Sequence, residues 1–132
     1  MQNKDCAIPR FGIGVDIERV DRFKEVDTVN RSAFLKKIFT ADEVEYCFSM
    51  SLPAQHLAAK FAGKEAVVKA LASLGRTGLG YSDIEILNDK SGVPGASIRK
   101  AGHDNLQIQL SLSHSRDDAV AVAVVISTDF SG

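Results

Sequence analysis

Along this chain the apolar positions change period several times, and each change marks an element. Phe11, Ile13, Val15 and Ile17 alternate with Gly12, Gly14 and Asp16, the period of a strand with one apolar face and one bare face. From Glu18 the spacing switches: Val20 and Phe23 fall three apart, as do Arg19 and Arg22, which predicts a helix with a basic opposite side. Thr40-Ala41-Asp42-Glu43 matches a capping box and predicts a short helix to about Phe48. Pro53 is placed to open a long helix, roughly 54–74, that stops at Gly75. Beyond it the period returns to two. Ile84 and Ile86 alternate within 83–87, turn residues fill 88–92, and 96–99 is a return strand. Ile108, Leu110 and Leu112 then alternate with Gln107, Gln109, Ser111 and Ser113, and the last strand, 119–126, is apolar on both faces and so predicted central. The expected fold is α+β, a single domain over residues 11–132 with an antiparallel β-sheet packed on a long central helix. Residues 1–10 are a polar lead-in.

Composition narrows the function without naming it. At 132 residues the chain can bury a core without disulfides or a structural metal, and its apolar (45%) and charged (25%) fractions are ordinary for a globular protein. A net charge of −1 argues against bulk attraction to nucleic acid or to an anionic membrane, so an acidic partner would need a local basic patch. Cys6 and Cys47 form no CxxC pair and read as reduced thiols, which with the polar start points to the cytoplasm. The longest apolar run, Ala119 to Ile126, is too short to span a bilayer.

Three short motifs carry candidate chemistry. In Phe61-Ala62-Gly63-Lys64-Glu65-Ala66-Val67-Val68-Lys69-Ala70, Leu57, Phe61, Val68 and Leu71 share the natural core arc, with Glu65 and Lys69 at its edge. A solvated Glu–Lys pair is the bland reading of that edge. Lys64, however, falls near the centre of the arc, where a lysine must snorkel or meet a buried anion. In Gly12-Ile13-Gly14-Val15-Asp16-Ile17, Asp16 is either a helix N-cap or a cation ligand in space cleared by the glycines. In Ser111-Leu112-Ser113-His114-Ser115, Ser113 and His114 sit at a strand end, as turn residues or as donors to phosphate oxygens. His56 and His103 have no such context. Walker A, Rossmann, G-x-S-x-G and H-E-x-x-H patterns are all absent.

The three motifs in this order resemble the phosphopantetheinyl transferases, and are most similar to the short bacterial type, the holo-[acyl-carrier-protein] synthases; the likeness runs from about Phe11 to Ile126. It implies a Mg²⁺-dependent enzyme that moves 4′-phosphopantetheine from coenzyme A (CoA) to a serine of an apo acyl carrier protein and releases adenosine 3′,5′-bisphosphate. It implies Asp16 and Glu65 as metal ligands, Lys69 as the charge for the departing phosphate, and Glu65 as the acceptor of the serine proton, directly or through water. Lys60 and Lys64 would lie along the pyrophosphate, Ser113 and His114 near the nucleotide phosphates, and Gly92 to Pro94 against adenine. Arg19 and Arg22 would engage an acidic helix of the carrier protein, and short members of the family imply a homotrimer with sites between subunits.

The chain also departs from the family pattern. Lys60 stands where arginine is usual, Val93 where a lysine is frequent, and Ala72-Ser73-Leu74-Gly75 replaces a glycine-rich turn. A non-catalytic module that binds CoA or the carrier is the alternative, and it would not require Glu65 or Lys69. A structural domain with an incidental Glu–Lys pair would bind no CoA.

Overall fold

In the computed structural model, residues 10–26 and 32–128 are described. Strand β1 (Phe11–Arg19) leads through a 3-10 turn (Val20–Phe23) to helices α1 (Ser32–Ile38), α2 (Ala41–Phe48) and α3 (Pro53–Ser73). A second 3-10 turn (Tyr81–Asp83) enters β2 (Ile84–Asn88), followed by β3 (Pro94–Ile98), β4 (Leu106–His114) and β5 (Asp118–Ser127). The strands form two antiparallel sheets, one ordered β1-β5-β4 and one pairing β2 with β3. β5 is central, as its two apolar faces predict. The capping box at Thr40 is present, with Glu43 reaching back 2.8 Å to the Thr40 amide.

Two elements differ from expectation. The helix predicted from Glu18 does not start there, because the ladder with β5 continues through Glu18↔Ala119 and Arg19↔Asp118. Only the Val20–Phe23 turn follows, burying Val20 and Phe23. α1 is the second: Leu35 and Ile38 are its buried residues, too few in so short a segment for a period to show. The lead-in at 1–9, which includes Cys6, lies outside the described residues. Cys47 is fully buried, and burial pushes its thiol up to about 12.

α3 is buried on most of its circumference, from Leu57 through Leu71, because both sheets pack against it. β1 turns its glycine face inward, not its apolar one. A Cβ on Gly14 would lie 1.8 Å from the Ala66 carbonyl oxygen, and one on Gly12 2.1 Å from that of Ala70. The glycines therefore exist to let strand and helix backbones touch, and the space they clear is filled by α3. The opposite face is left open: Phe11, Ile13, Val15 and Ile17 are 55–66% exposed, and Val120 and Val122 of β5 continue the patch.

Candidate active site

β1 and α3 cross where Gly14 meets Ala66, and the crossing brings Asp16 beside Glu65 and Lys69. Asp16 and Glu18 point to the same side of the strand, two residues apart. Carboxylate oxygens of Asp16, Glu18 and Glu65 all lie within 4.8 Å of one another. One oxygen of Asp16, Oδ2, is buried with no hydrogen-bond partner, and such an atom costs free energy unless something positive reaches it. The Lys69 ammonium lies 3.3 Å from the other oxygen and donates to the Val15 carbonyl at 3.0 Å, so it answers Asp16 rather than Glu65. Arg22 holds Glu18 at 2.6 Å while lying over the Phe61 ring. Even so, burial, then the Asp16 carboxylate, raises the Glu18 carboxyl above its ordinary value. The Tyr81 hydroxyl bonds to Glu65, which with burial pushes the phenol up to about 12. The cluster thus carries more negative charge than its neighbours neutralise, in oxygen donors suited to a hard divalent cation.

The other two lysines of α3, Lys60 and Lys64, face away from this cluster. Lys64 Nζ is completely buried, 2.7 Å from Glu43, and also donates to the carbonyls of Tyr81 and Ile84. Burial lowers its pKa and Glu43 opposes that shift. Of the two fates open to a lysine in the apolar arc, Lys64 thus meets a buried anion of its own protein, and it presents nothing to solvent. Lys60 Nζ donates to the Ile86 carbonyl at 2.6 Å and to Asn88 Oδ1 at 3.1 Å, above the Tyr46 ring. It remains at the wall of a cavity of about 230 Å³, shared with Tyr46, His56, Gly92, Pro94 and His114. Ser113 is not in that cavity; it lies on the exposed side of β4, in a shallow depression with Ile17 and Asp118. Arg19 is 69% exposed, with Asp21 and Asp118 each 3.8 Å away, whereas Arg22 is committed to Glu18. A larger apolar depression, about 600 Å³, is lined by Val20, Phe23 and Leu57 among others, and no carboxylate lines it among the described residues.

Glu18, Tyr81, Glu43 and His56 are the residues sequence reasoning misses. Glu18 was within reach, since it shares the parity of Asp16 once β1 is carried through to Arg19. Glu43 had been given one task, the cap, and it performs three. Tyr81 and His56 are joined to the site only by tertiary packing.

A helix-bearing antiparallel fold here carries a three-carboxylate cluster beside a lysine, a donor set suited to a hard divalent cation. The family model of the 4′-phosphopantetheinyl transferase superfamily matches residues 12–125, and the chain belongs to that family. It is a transferase enzyme. Its relatives include the holo-[acyl-carrier-protein] synthase of Chlorobaculum parvum, 42% identical over 86% of this chain and 96% of that protein. The enzyme of the same name from Chlamydia trachomatis serovar D is 43% identical over 86% of this chain and 98% of its own. Among solved structures, the Helicobacter pylori synthase in complex with coenzyme A superposes with a TM-score of 0.73 at 30% identity, covering 86% of this chain and 98% of that one. The Bacillus anthracis synthase in complex with CoA (3′,5′-ADP) gives 0.71 at 31% identity, covering 88% and 96%. Among the described residues no helix is long and apolar enough to cross a membrane.

Proposed function

We propose that this protein is a holo-acyl-carrier-protein synthase of the cytoplasm, transferring 4′-phosphopantetheine from CoA to a serine of an apo acyl carrier protein. The observation that carries the reading is the buried, unpartnered Asp16 Oδ2 inside the Asp16–Glu18–Glu65 cluster, with Lys69 alongside. Those three carboxylates would hold Mg²⁺, which supplies charge neutralisation to a phosphate ester when bound. Glu65, oriented by the Tyr81 hydroxyl, accepts the serine proton directly or through a water. Lys69, half-exposed and already aimed at the cluster, offers its ammonium to the departing phosphate. Arg19 is the more available of the two basic residues for an acidic carrier helix, because Arg22 is held by Glu18.

Two features support sites built between copies of the chain, as in a homotrimer. The nucleotide-side residues His56, Lys60 and His114 sit across α3 from Glu65: nine residues at ~100° each bring His56 and Glu65 to opposite sides of the helix. One CoA would therefore reach the acidic cluster of one copy and the cavity of another. The exposed row Phe11, Ile13, Val15 and Ile17 is an apolar face of the kind that subunits cover.

The test is direct. The protein is mixed with CoA, Mg²⁺ and apo carrier proteins from fatty-acid and polyketide systems, and the carriers are weighed by mass spectrometry. Addition of one phosphopantetheine is the expected result. No modification of any carrier, with CoA binding intact, would replace the enzyme by a non-catalytic CoA- or carrier-binding module.

A further inference from the structure

The cavity between α2, α3 and the end of β4 has a chemistry of its own. Its walls include Lys60, His56, His114, Tyr46 and Asn88 and, among the described residues, no carboxylate. The two imidazole rings meet edge to face with centroids 5.3 Å apart, and Tyr46 meets His56 at 6.0 Å in the same manner. Lys60 stands over the Tyr46 ring, its other donors taken by Ile86 and Asn88. Three nitrogen groups that can be cationic thus share about 230 Å³, with no anion among the described residues that line it. An arrangement with surplus positive capacity and an open mouth fits an anionic ligand.

We propose that His56 joins His114 and Lys60 in binding a phosphomonoester, the 3′-phosphate of CoA. The identity of the ligand rests on the transferase reading above; the anion preference rests on the cavity. Without a ligand, the positive capacity around His56 discourages its charge. His56 is held below its ordinary value by burial first, then by His114 and Lys60. The groups facing it are Tyr46 from α2, Lys60 from α3 and His114 from β4, while Glu43 and Glu85 act on Lys60. A phosphate dianion reverses the balance, because each imidazole then gains a counter-charge and an acceptor. Binding should therefore take up protons, and affinity should rise as pH falls. The ligand's own second ionisation, near pH ~6, works in the opposite sense and is common to every protein variant.

Calorimetric titration tests this at about pH 6 and about pH 8, in two buffers of different ionisation enthalpy. The ligands are adenosine 3′,5′-bisphosphate and dephospho-CoA, which lacks the 3′-phosphate. The proteins are the wild type, His56→Phe, which keeps a ring but cannot be charged, and His56→Gln in case the phenyl ring disturbs packing. The wild type should bind the bisphosphate about tenfold more tightly than either variant at the lower pH, with the gap closing to about twofold at the higher. It should also take up more protons, and dephospho-CoA should not distinguish the three proteins. Equal affinity and equal proton uptake for the bisphosphate would overturn the assignment. An equal loss for dephospho-CoA would also overturn it, by showing a merely structural role. In both cases CoA binding in the wild type would leave the transferase reading standing. If neither nucleotide binds the wild type, both readings fall together.

Discussion

Five residues apart, α3 carries two lysines in opposite circumstances. Lys64 and Glu43 are each 0% exposed, and every polar atom has work inside the protein. The ammonium also serves two carbonyls, while the carboxylate caps α2 at Thr40 and accepts the Ile86 amide at 2.7 Å. Lys69 is 54% exposed and meets Asp16 at 3.3 Å, leaving Asp16 Oδ2 with nothing. The residue types are the same and the helix is the same. What differs is whether opposite charges match in number. Where they match, the pair is closed to chemistry and fixes α2 and β2 on α3. Where they do not, the surplus would suit a ligand of opposite charge, a cation at the acidic cluster and, on our proposal, an anion at the histidine cavity.

The largest effect should come from the unmatched side. Glu65→Gln removes a charge that the core does not use, since the side chain is only half-buried and its polar neighbours are Tyr81 and the cluster. Transfer to the carrier, followed by mass spectrometry, should fall by about 10³-fold or more, worth ~4 kcal/mol of transition-state stabilisation. The melting temperature should stay close to wild type. Retained activity would remove Glu65 from its role. Lys64→Met, next door, should do the reverse. It strands Glu43 without its counter-charge, costing about 3–5 kcal/mol in urea unfolding. Adding Glu43→Gln to Lys64→Met should recover part of that loss, because a buried pair does little net work against a neutral replacement. A double variant as unstable as the single one would mean that Glu43 matters through its caps and not through Lys64.

How much of this was legible in the sequence depended on whether the signal was local. The capping box, Pro53, the long helix and the alternation in β4 and β5 are all set by neighbours a few residues apart, and they were readable. α1 is too short for a period to form, and the end of β1 was misread because Val20 and Phe23 imitate a helical spacing. At the site, Asp16, Glu65 and Lys69 came from the motifs, and the fold brings them together. Glu18 went unseen for the same reason that β1 was ended early. The fate of Lys64 could be posed from sequence, as a buried anion or a snorkel, but not decided. Its partner lies twenty-one residues upstream, on a different helix.

The acidic cluster and the dry pair should also separate on addition of metal. Mg²⁺ at about ten times its dissociation constant should stabilise the wild type by ~1.4 kcal/mol, read as a rise in melting temperature. Asp16→Asn should abolish the rise, while Lys64→Met should keep it from a lower starting point. An equal response in Asp16→Asn would place the cation elsewhere.

The smallest effect concerns the cavity with the opposite surplus, and its sign can be worked out. The folded-state pKa of His56 lies below the ordinary value of 6.5, chiefly through burial and then through His114 and Lys60. Between the two values the unfolded chain binds more protons than the native one, so stability rises with pH across that window and is lost as pH falls from 6.5 toward the folded value. Below the folded value both states are protonated and no more is lost. Thermal melting of the ligand-free protein across this range should therefore show a decline that is shallower in His56→Phe, the remaining slope belonging to other groups. Because His56 is only partly buried, the difference should be a modest shift in melting temperature. Adenosine 3′,5′-bisphosphate should remove the difference in slope, since a bound anion permits the charge that the empty cavity opposes. Identical slopes for the two ligand-free proteins would show that His56 gains no charge on unfolding, and its surplus would then not be a property of the cavity at all.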